Sequence, residues 1–240
     1  MKFNIITLFP DAIKPYLDSS MLWKAQKDKK IKINLINPRD FTLDSLTKLG
    51  ASKRRQVDDR PYGGGPGMVL KAEPILRAIK SLNLKPSTYP PAGRAGNLKP
   101  IILSPRGKQF TNKLADNWAK KYNNLVLIAG HYEGIDARVK KILSARGGSA
   151  FGGKAEEISI GPYTLTGGEL PVLVIVDAVT RRLPGVLGDP ESLEESRVAP
   201  NQTYTRPEVI NYKNKKYRVP SILLSGHAAK IAKWRASSKK

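Results

Sequence analysis

The residues best placed to do chemistry include two carboxylates, Glu133 and Asp136, in the stretch AGHYEGIDAR (Ala129–Arg138). An apolar run comes directly before this stretch, so a buried strand is expected to end here and a helix to begin. Open α/β sheets bind ligands at that position. The same acids could instead complement the positive end of the helix dipole. The spacing leaves both interpretations open.

A second stretch, SIGPYTLTGGELP (Ser159–Pro171), interrupts an apolar segment with three glycines and two prolines. Where side chains are missing, another group can approach the backbone closely. Gly161, Gly167 and Gly168 therefore predict either one wall of a ligand site or a tight turn with a Gly-Gly kink.

Charge stabilisation and proton removal have their own candidates further along the chain. Arg181 ends an apolar run, where it could stabilise charge developing on a substrate in a nearby glycine-lined pocket. It also lies four residues after Asp177, so an i,i+4 ion pair is the alternative. A general base has to be a carboxylate or a histidine within reach, and an acidic stretch offers four candidates, Asp189, Glu191, Glu194 and Glu195. That stretch could also be a solvated acidic run.

Two further glycine clusters fail the nucleotide-binding patterns that they resemble. Gly148–Ala155 has alanine where a phosphate-binding loop needs a hydroxyl for Mg²⁺, which favours a flexible insertion around residues 145–157. Arg60–Leu70 lacks the third glycine of the dinucleotide pattern. Its alternatives are a mobile loop and a loop that folds over a bound base, with Tyr62 available to stack.

Composition points to a polyanionic partner. Of the 240 residues, 42 are Lys or Arg and 20 are Asp or Glu, a formal net charge of +22, which favours nucleic acid or an anionic membrane. The apolar run Leu170–Val176 is too short to span a bilayer, and the start of the chain lacks a secretory cleavage pattern. With no cysteine and two histidines, cysteine-based zinc sites are excluded and a multi-histidine metal site is not expected.

The order of predicted elements indicates an α/β fold with a parallel sheet. Between two apolar strands lies a helix whose Phe110, Leu114, Trp118 and Tyr122 recur every four residues. Further helices are expected at 134–143 and 170–183. The predicted strands are Phe3–Phe9, Ile31–Ile36, Pro100–Pro105 and Asn124–Gly130.

Domain boundaries follow from composition. Residues 1–187 form the predicted main domain, and the Pro-, Ser- and acid-rich stretch 188–203 reads as a linker. The segment 204–240 is strongly basic, with Ala228, Ile231 and Trp234 on one face of a predicted helix. It is too short to fold independently and should lean on the main domain or a partner chain.

Several motifs, taken in order, closely resemble the bacterial tRNA (guanine-N1)-methyltransferase (TrmD) family of the SPOUT class, over nearly the whole chain. They are TLFPDAIKPYL, NPRDFT, VDDRPYGGGPGMVLKAEPI, ILSPRGKQ, GHYEGIDARV, EEISIGPYTLTGGELPVLVIVDAVTRRLPGVLG and the final YTRPEV…VPSILLSGHAAKIAKWR.

The resemblance implies a trefoil-knotted domain, a homodimer, a cytoplasmic location and methylation of N1 of guanine 37, 3′ to the anticodon of tRNA. It implies S-adenosyl-L-methionine (AdoMet) as methyl donor and the tRNA anticodon stem-loop as partner, and it leaves open whether Mg²⁺ acts at the site or only on the RNA. By this analogy the glycines are bare so that the cofactor can approach. The implied cofactor-binding residues are Leu103, Pro105, Gly130, Tyr132, Glu133, Gly134, Ile160, Gly161, Pro162, Tyr163, Thr164, Leu165, Gly167, Gly168 and Pro171.

The catalytic residues implied by the resemblance are Arg181, Glu133 and Glu195. The family's base is an aspartate in the pattern S-x-x-x-D-S, whereas this chain reads SLEES, one residue shorter. Glu195 is therefore favoured as the base, with Glu194 as the alternative. Other departures are His131 where arginine is common, Pro162 in place of an acid, and a tail that stops soon after Arg235, from which thinner tRNA contacts are expected.

Two other functions stay open at this point. The shortened acidic stretch allows a catalytically weakened or inactive RNA-binding SPOUT relative. A SPOUT enzyme that acts on ribosomal RNA is the third possibility, and the tRNA-type motifs disfavour it.

Overall fold

The computed structural model describes residues 1–42, 55–82, 98–145, 154–187 and 202–237. The chain divides into two compact units, Met1–Leu187 and Gly188–Lys240. The predicted linker at 188–203 and the predicted insertion at 145–157 fall mostly outside the described residues.

The first unit is built on a five-stranded sheet in which every neighbouring pair of strands is parallel, with the order β2-β1-β6-β5-β7. This confirms the predicted α/β fold with a parallel sheet. The strands are β1 (Lys2–Ile6), β2 (Lys32–Ile36), β5 (Leu98–Gln109), β6 (Asn124–Ile128) and β7 (Glu156–Ser159). A separate antiparallel pair consists of β3 (Asp58–Asp59) and β4 (Val69–Leu70).

The central strands are buried on both faces, because helices cover the sheet on each side. In β6, Leu125, Val126, Leu127 and Ile128 are all at most 1% exposed. Alternate residues of these strands feed two separate apolar clusters, one on each face of the sheet. The continuous apolar runs in the sequence reflect this double burial.

In the described part of the first unit six α-helices flank the sheet: α1 (Pro10–Leu17), α2 (Ser20–Lys27), α3 (Ala72–Ser81), α4 (Asn112–Lys121), α5 (Arg138–Ser144) and α6 (Glu169–Thr180). In α4 the Thr111 side chain caps the first turn, and Trp118 of the predicted apolar face is 1% exposed. In α6 the buried residues Val172, Ile175, Val176 and Val179 explain the long apolar run. No described helix is long and apolar enough to cross a bilayer.

The predicted helix at 134–143 begins four residues late, at Arg138. Ile135 forms a bridge to Leu70 of β4, and the Asp136 amide donates to the Leu70 carbonyl. These contacts between distant parts of the chain hold residues 134–136 extended, and a local sequence pattern does not contain them.

Strand β7 is too short for the alternation that identifies a strand, and its pairing with β5 includes a buried ion pair. Lys99, whose side chain is 5% exposed, lies 2.5 Å from Glu156 Oε1. Lys99 also donates to the Lys154 carbonyl at 3.1 Å. A buried lysine charge is tolerated because it is paired, and the pair ties the first residues of β7 to β5.

The second unit, described over residues 202–237, contains a hairpin that the sequence analysis did not predict. Strand β8 (Val209–Tyr212) pairs antiparallel with β9 (Lys215–Arg218), and Lys213 and Asn214 take positive φ angles in the two-residue turn. Two helices follow, α7 (Ser221–Leu224) and α8 (Ala228–Ser237). Ile231 and Trp234 of the predicted helix face are half-buried, whereas Ala228 is exposed.

Candidate active site

A cleft of about 570 Å³ opens at the carboxyl ends of β5, β6 and β7. Its size lies within the range of small-molecule sites, roughly 300–1,000 Å³. The structure brings thirteen of the fifteen predicted cofactor-binding residues to its walls, and Gly161 and Pro162 are the two that do not line it. Those at the walls are Leu103, Pro105, Gly130, Tyr132, Glu133, Gly134, Ile160, Tyr163, Thr164, Leu165, Gly167, Gly168 and Pro171.

One wall of the cleft presents unbonded backbone. The backbone groups of Tyr163, Thr164 and Leu165 make no hydrogen bond with any other described residue. Backbone N–H and C=O groups need partners, which here must be water or a ligand. This wall therefore offers a row of donors and acceptors in a place where apolar side chains, such as Leu103 and Pro171, line the rest of the cleft.

The glycines of this wall are explained by contacts inside the protein. A Cβ on Gly168 would lie 2.7 Å from both the Ala129 Cα and the Gly130 nitrogen, which is closer than packed atoms approach. The Gly168 amide also donates to the Gly130 carbonyl at 2.7 Å. At Gly161 a Cβ would meet the Tyr163 ring. The missing side chain of Gly168 thus lets α6 start against the end of β6, and the expectation that these glycines admit a cofactor stays a prediction.

Two motifs that the sequence analysis treated separately form one structure beside the cleft. The Glu133 amide donates to the Met68 carbonyl at 3.0 Å, and the Leu70 amide donates to the Gly134 carbonyl at 2.9 Å. The side chain of Glu133 lies over Gly67, where a Cβ would overlap it. The glycine-rich loop after Arg60 and the GHYEG motif are therefore held against each other.

Asp136, three residues after Glu133, is bonded to Arg138 at the start of α5. Its carboxylate accepts from the Arg138 Nε and Nη2 at 2.9 and 2.6 Å and from the Arg138 amide at 2.9 Å. The Arg138 hydrogen bonds hold the pKa of Asp136 below its ordinary value. Asp136 lines the cleft and also precedes the first residue of α5 by two positions, so both interpretations of this acid stay open.

His131 also lines the cleft, and the sequence analysis noted it only as a departure from a pattern. Its ring contacts those of Phe9 and Tyr132, with centroids 5.1 and 4.6 Å away. Its Nδ1 is buried and has no hydrogen-bond partner among the described residues. Nearby, Thr7 donates to Glu169 Oε1 at 2.7 Å.

Arg181 lies away from the cleft of its own chain. Helix α6 starts at the cleft and runs for 12 residues, about 18 Å at 1.5 Å per residue, before Arg181 follows its last turn. Beyond Arg181, the segment passes Lys30, whose Nζ would be 3.0 Å from a Cβ on Gly185. The expectation that Arg181 stands close to the glycine-lined pocket is therefore wrong within one chain.

The alternative for Arg181, an ion pair with Asp177, is also wrong among the described residues. Asp177 Oδ2 instead accepts a hydrogen bond from the Tyr16 hydroxyl at 2.8 Å, and this bond raises the pKa of Tyr16. The neighbouring Arg182 is the buried arginine of this turn, with a side chain 4% exposed and its Nε 2.7 Å from Asp116 Oδ1. Arg181 thus makes no ion pair with the described part of the chain.

Two other predictions concern residues that lie mostly outside the described part of the chain. Glu194 and Glu195 lie outside it, and so does most of Gly148–Ala155. Within the described ranges, no group of three or more acidic or histidine side chains is arranged to hold a metal ion.

A second cavity of about 980 Å³ adjoins the cleft and shares Ile135, Asp136 and Ala137 with it. The glycine-rich loop forms part of its rim, and the Tyr62 side chain on that loop is fully exposed. Four cationic side chains line this cavity: Arg60, Lys71, Arg77 and Arg138.

Comparison with known proteins gives consistent results. The family model for tRNA (guanine-1)-methyltransferase TrmD matches residues 1–240. A tRNA (guanine-N(1)-)-methyltransferase of Dictyoglomus turgidum is 44% identical, over 98% of this chain and 83% of the relative. Proteins of the same name from Trichodesmium erythraeum and Carboxydothermus hydrogenoformans are 42% and 44% identical, over 98% of this chain and 91% and 81% of theirs.

Proposed function

The chain belongs to the tRNA (guanine-1)-methyltransferase TrmD family, and we propose that it transfers the methyl group of AdoMet to N1 of guanine 37 of tRNA, in the cytoplasm. It is a methyltransferase that modifies guanine N1 in tRNA. We propose three further points: the identity of the cofactor, the position of the guanine in the tRNA and the catalytic roles of individual residues.

The observation that carries the proposal is the wall of open backbone in the cleft. An adenine ring presents both donors and acceptors at its edge and an apolar face. Backbone groups of Tyr163, Thr164 and Leu165 can pair with that edge, while Leu103 and Pro171 cover the face. A cleft of about 570 Å³ has room for a nucleoside with an attached amino acid. The residues present therefore fit AdoMet.

When bound, AdoMet supplies a methyl group on a positively charged sulfur. Guanine N1 carries a proton in its neutral form, so a carboxylate must remove that proton as the N1–methyl bond forms. We assign this role to Glu195, with Glu194 as the alternative. Negative charge moves towards O6 of the guanine, and the guanidinium of Arg181 stabilises it. Glu133, exposed at the rim of the cleft, would contribute negative charge that favours a positively charged ligand there.

The position of Arg181 supports a homodimer. An arginine about 18 Å along α6 from its own cleft can reach a substrate only in the cleft of another chain. The exposed face of α6 carries Leu170 and Val174, 59% and 45% exposed, at the spacing of one helical turn. A two-fold axis through this face would bury both residues and carry Arg181 towards the partner's cleft.

The proposed RNA contacts lie in two places. The second cavity, rimmed by the fully exposed Tyr62 and lined by Arg60, suits a base that stacks and a phosphate that pairs with a cation. Residues 204–240 of the second unit carry Lys and Arg on the β8–β9 hairpin and on α8, and we propose that they bind the anticodon stem-loop. Binding through phosphates makes affinity steeply salt-dependent.

The trefoil knot is the proposed finer description of the fold. Two close backbone crossings support it: Gly107 of β5 lies against the backbone of Ile158, where no Cβ would fit, and Gly168 lies against Gly130. The pairing of β5 with β7 skips residues between Leu103 and Lys108, so part of β5 loops out at the cleft.

The test is methyl transfer from tritiated AdoMet to a tRNA transcript with guanine 37 and to the same transcript with adenine there. We expect incorporation only into the first, at N1. Failure to modify either transcript would leave an RNA-binding relative without catalysis, and modification of ribosomal RNA instead would assign a different substrate.

A further inference from the structure

Six lysines form an exposed cluster on the first unit, at the opposite end of the sheet from the cleft. This lysine patch consists of Lys2, Lys24, Lys27, Lys29, Lys30 and Lys32. All six side chains are exposed, and none forms an ion pair with a described residue.

The fold brings these lysines together from β1, α2, the turn after α2 and the start of β2. Lys2 and Lys32 are register partners on neighbouring parallel strands, so their Cα atoms are about 5 Å apart. The amino group of Met1 donates to the Lys30 carbonyl at 2.7 Å and adds a further positive charge. Between residues 24 and 32 the sequence has one acid, Asp28.

Local structure explains part of the patch. Lys24 and Lys27 lie in the last turn of α2, where cations complement the helix dipole, and Lys27 Nζ also lies 4.9 Å from the Trp23 ring. Lys2, Lys29 and Lys32 have no such role. Like charges at this spacing repel, which costs stability unless an anion neutralises them.

We propose that the lysine patch binds the sugar–phosphate backbone of a tRNA stem outside the anticodon arm. The proposal rests on the proposed function, which already brings a large polyanion to the protein. The five residues of β1 separate the patch from the cleft by about 16 Å. An RNA loop held in the cleft of the same chain does not reach the patch, so the proposal assigns the patch to a different part of the RNA.

An RNA stem fits this surface better than a lipid bilayer does. Membrane-surface helices combine cations with several apolar residues that enter the bilayer. Here Trp23 is the one exposed large apolar side chain in 20–32, and α2 has only eight residues. The lysines project from three elements, as expected for contacts to phosphates along a backbone.

The experiment compares two triple variants that lose the same charge. The patch variant carries Lys2→Gln, Lys29→Asn and Lys32→Gln; asparagine is chosen because Lys29 has a φ of 56°. The control variant carries Lys80→Gln, Lys113→Gln and Lys141→Gln, at exposed lysines elsewhere on the first unit. Binding to full-length tRNA, with guanine 37 replaced so that no methylation occurs, is measured between 50 and 200 mM salt. An isolated anticodon stem-loop is measured in parallel.

We expect the patch variant to bind full-length tRNA about tenfold more weakly. The slope of log binding constant against log salt concentration should be smaller in magnitude by about 2–3, because each contact to a duplex phosphate contributes about 0.9. Its affinity for the stem-loop, which also reports correct folding, should stay unchanged. Equal losses on both RNAs, equal losses in the control variant, or a loss of binding to anionic vesicles in place of tRNA would overturn the proposal. Methylation of the stem-loop by the wild type tests the proposed function separately.

Discussion

Gly168 and Arg181 lie at opposite ends of the same helix, α6. Gly168 is fixed at the cleft by its hydrogen bond to the Gly130 carbonyl, and Arg181 follows the last turn about 18 Å away. The cleft and the arginine to which we assign charge stabilisation therefore cannot meet in one chain. A dimer in which each cleft is completed by the partner's Arg181 resolves this.

The first prediction is complementation between two inactive variants. Thr164→Trp places an indole in the cleft, and Arg181→Ala removes the arginine. If the arginine acts in the partner's cleft, a mixed dimer contains one site with both changes and one intact site. Mixing the two variants after partial unfolding should restore about a quarter of wild-type methylation, because about half of the dimers are mixed. No recovery would place Arg181 in its own chain's site, or outside the site altogether.

The second prediction separates catalysis from cofactor binding. Arg181→Ala should lower kcat by about 10²–10³, the usual cost of removing one charge-stabilising donor. The Kd for AdoMet should not change, since Arg181 does not line the cleft. Isothermal titration and single-turnover methylation measure the two quantities. Arg182→Ala is the contrasting variant: it removes a buried arginine side chain that pairs with the half-exposed Asp116, and it should lower the unfolding temperature instead.

The position of the base gives a third prediction. Glu195→Gln keeps the shape of the side chain but cannot accept a proton, so kcat should fall by about 10²–10⁴. Glu194→Gln should leave it nearly unchanged. The opposite pattern would move the role to Glu194, and two active variants would remove the base from this stretch. Single-turnover rates at several pH values provide the measurement.

A fourth prediction concerns pH and Asp136. Its pKa is lowered in the folded protein by the hydrogen bonds from Arg138, so its ionised form favours folding. This contribution is complete above the unfolded value of about 3.9 and is lost as the pH falls through the lower folded value. Asp136→Asn should therefore be less stable than wild type to urea at pH 7, with a difference that shrinks below about pH 4. A difference independent of pH would mean that the charge is not involved.

Local patterns in the sequence predict part of this fold and of the candidate site. Apolar runs predict β1, β2, β5 and β6, because helices cover the sheet and bury most of β1, the first half of β5 and β6, and half-bury the edge strand β2. Glycines and the ends of predicted strands also indicate the cleft. The remainder depends on contacts between residues that are distant in the sequence. These are the hydrogen bonds between Glu133 and Met68 and between Leu70 and Gly134, and the packing that sets the direction in which α6 leaves the cleft. The spacing of residues along the chain predicts neither of these two features.

Gly168, which lines the cleft, and Gly161, which does not, give the last prediction, since they look alike in the sequence but differ in their surroundings. A Cβ at Gly168 would press on the backbone of Ala129 and Gly130, which cannot move without shifting β6. At Gly161 it would meet the ring of Tyr163, a side chain that is 53% exposed and free to turn away. Gly168→Ala should therefore cost about 1–3 kcal/mol of unfolding free energy, as overpacking does. Gly161→Ala should cost less than half of that, and equal costs would show that Tyr163 is held as firmly as the backbone.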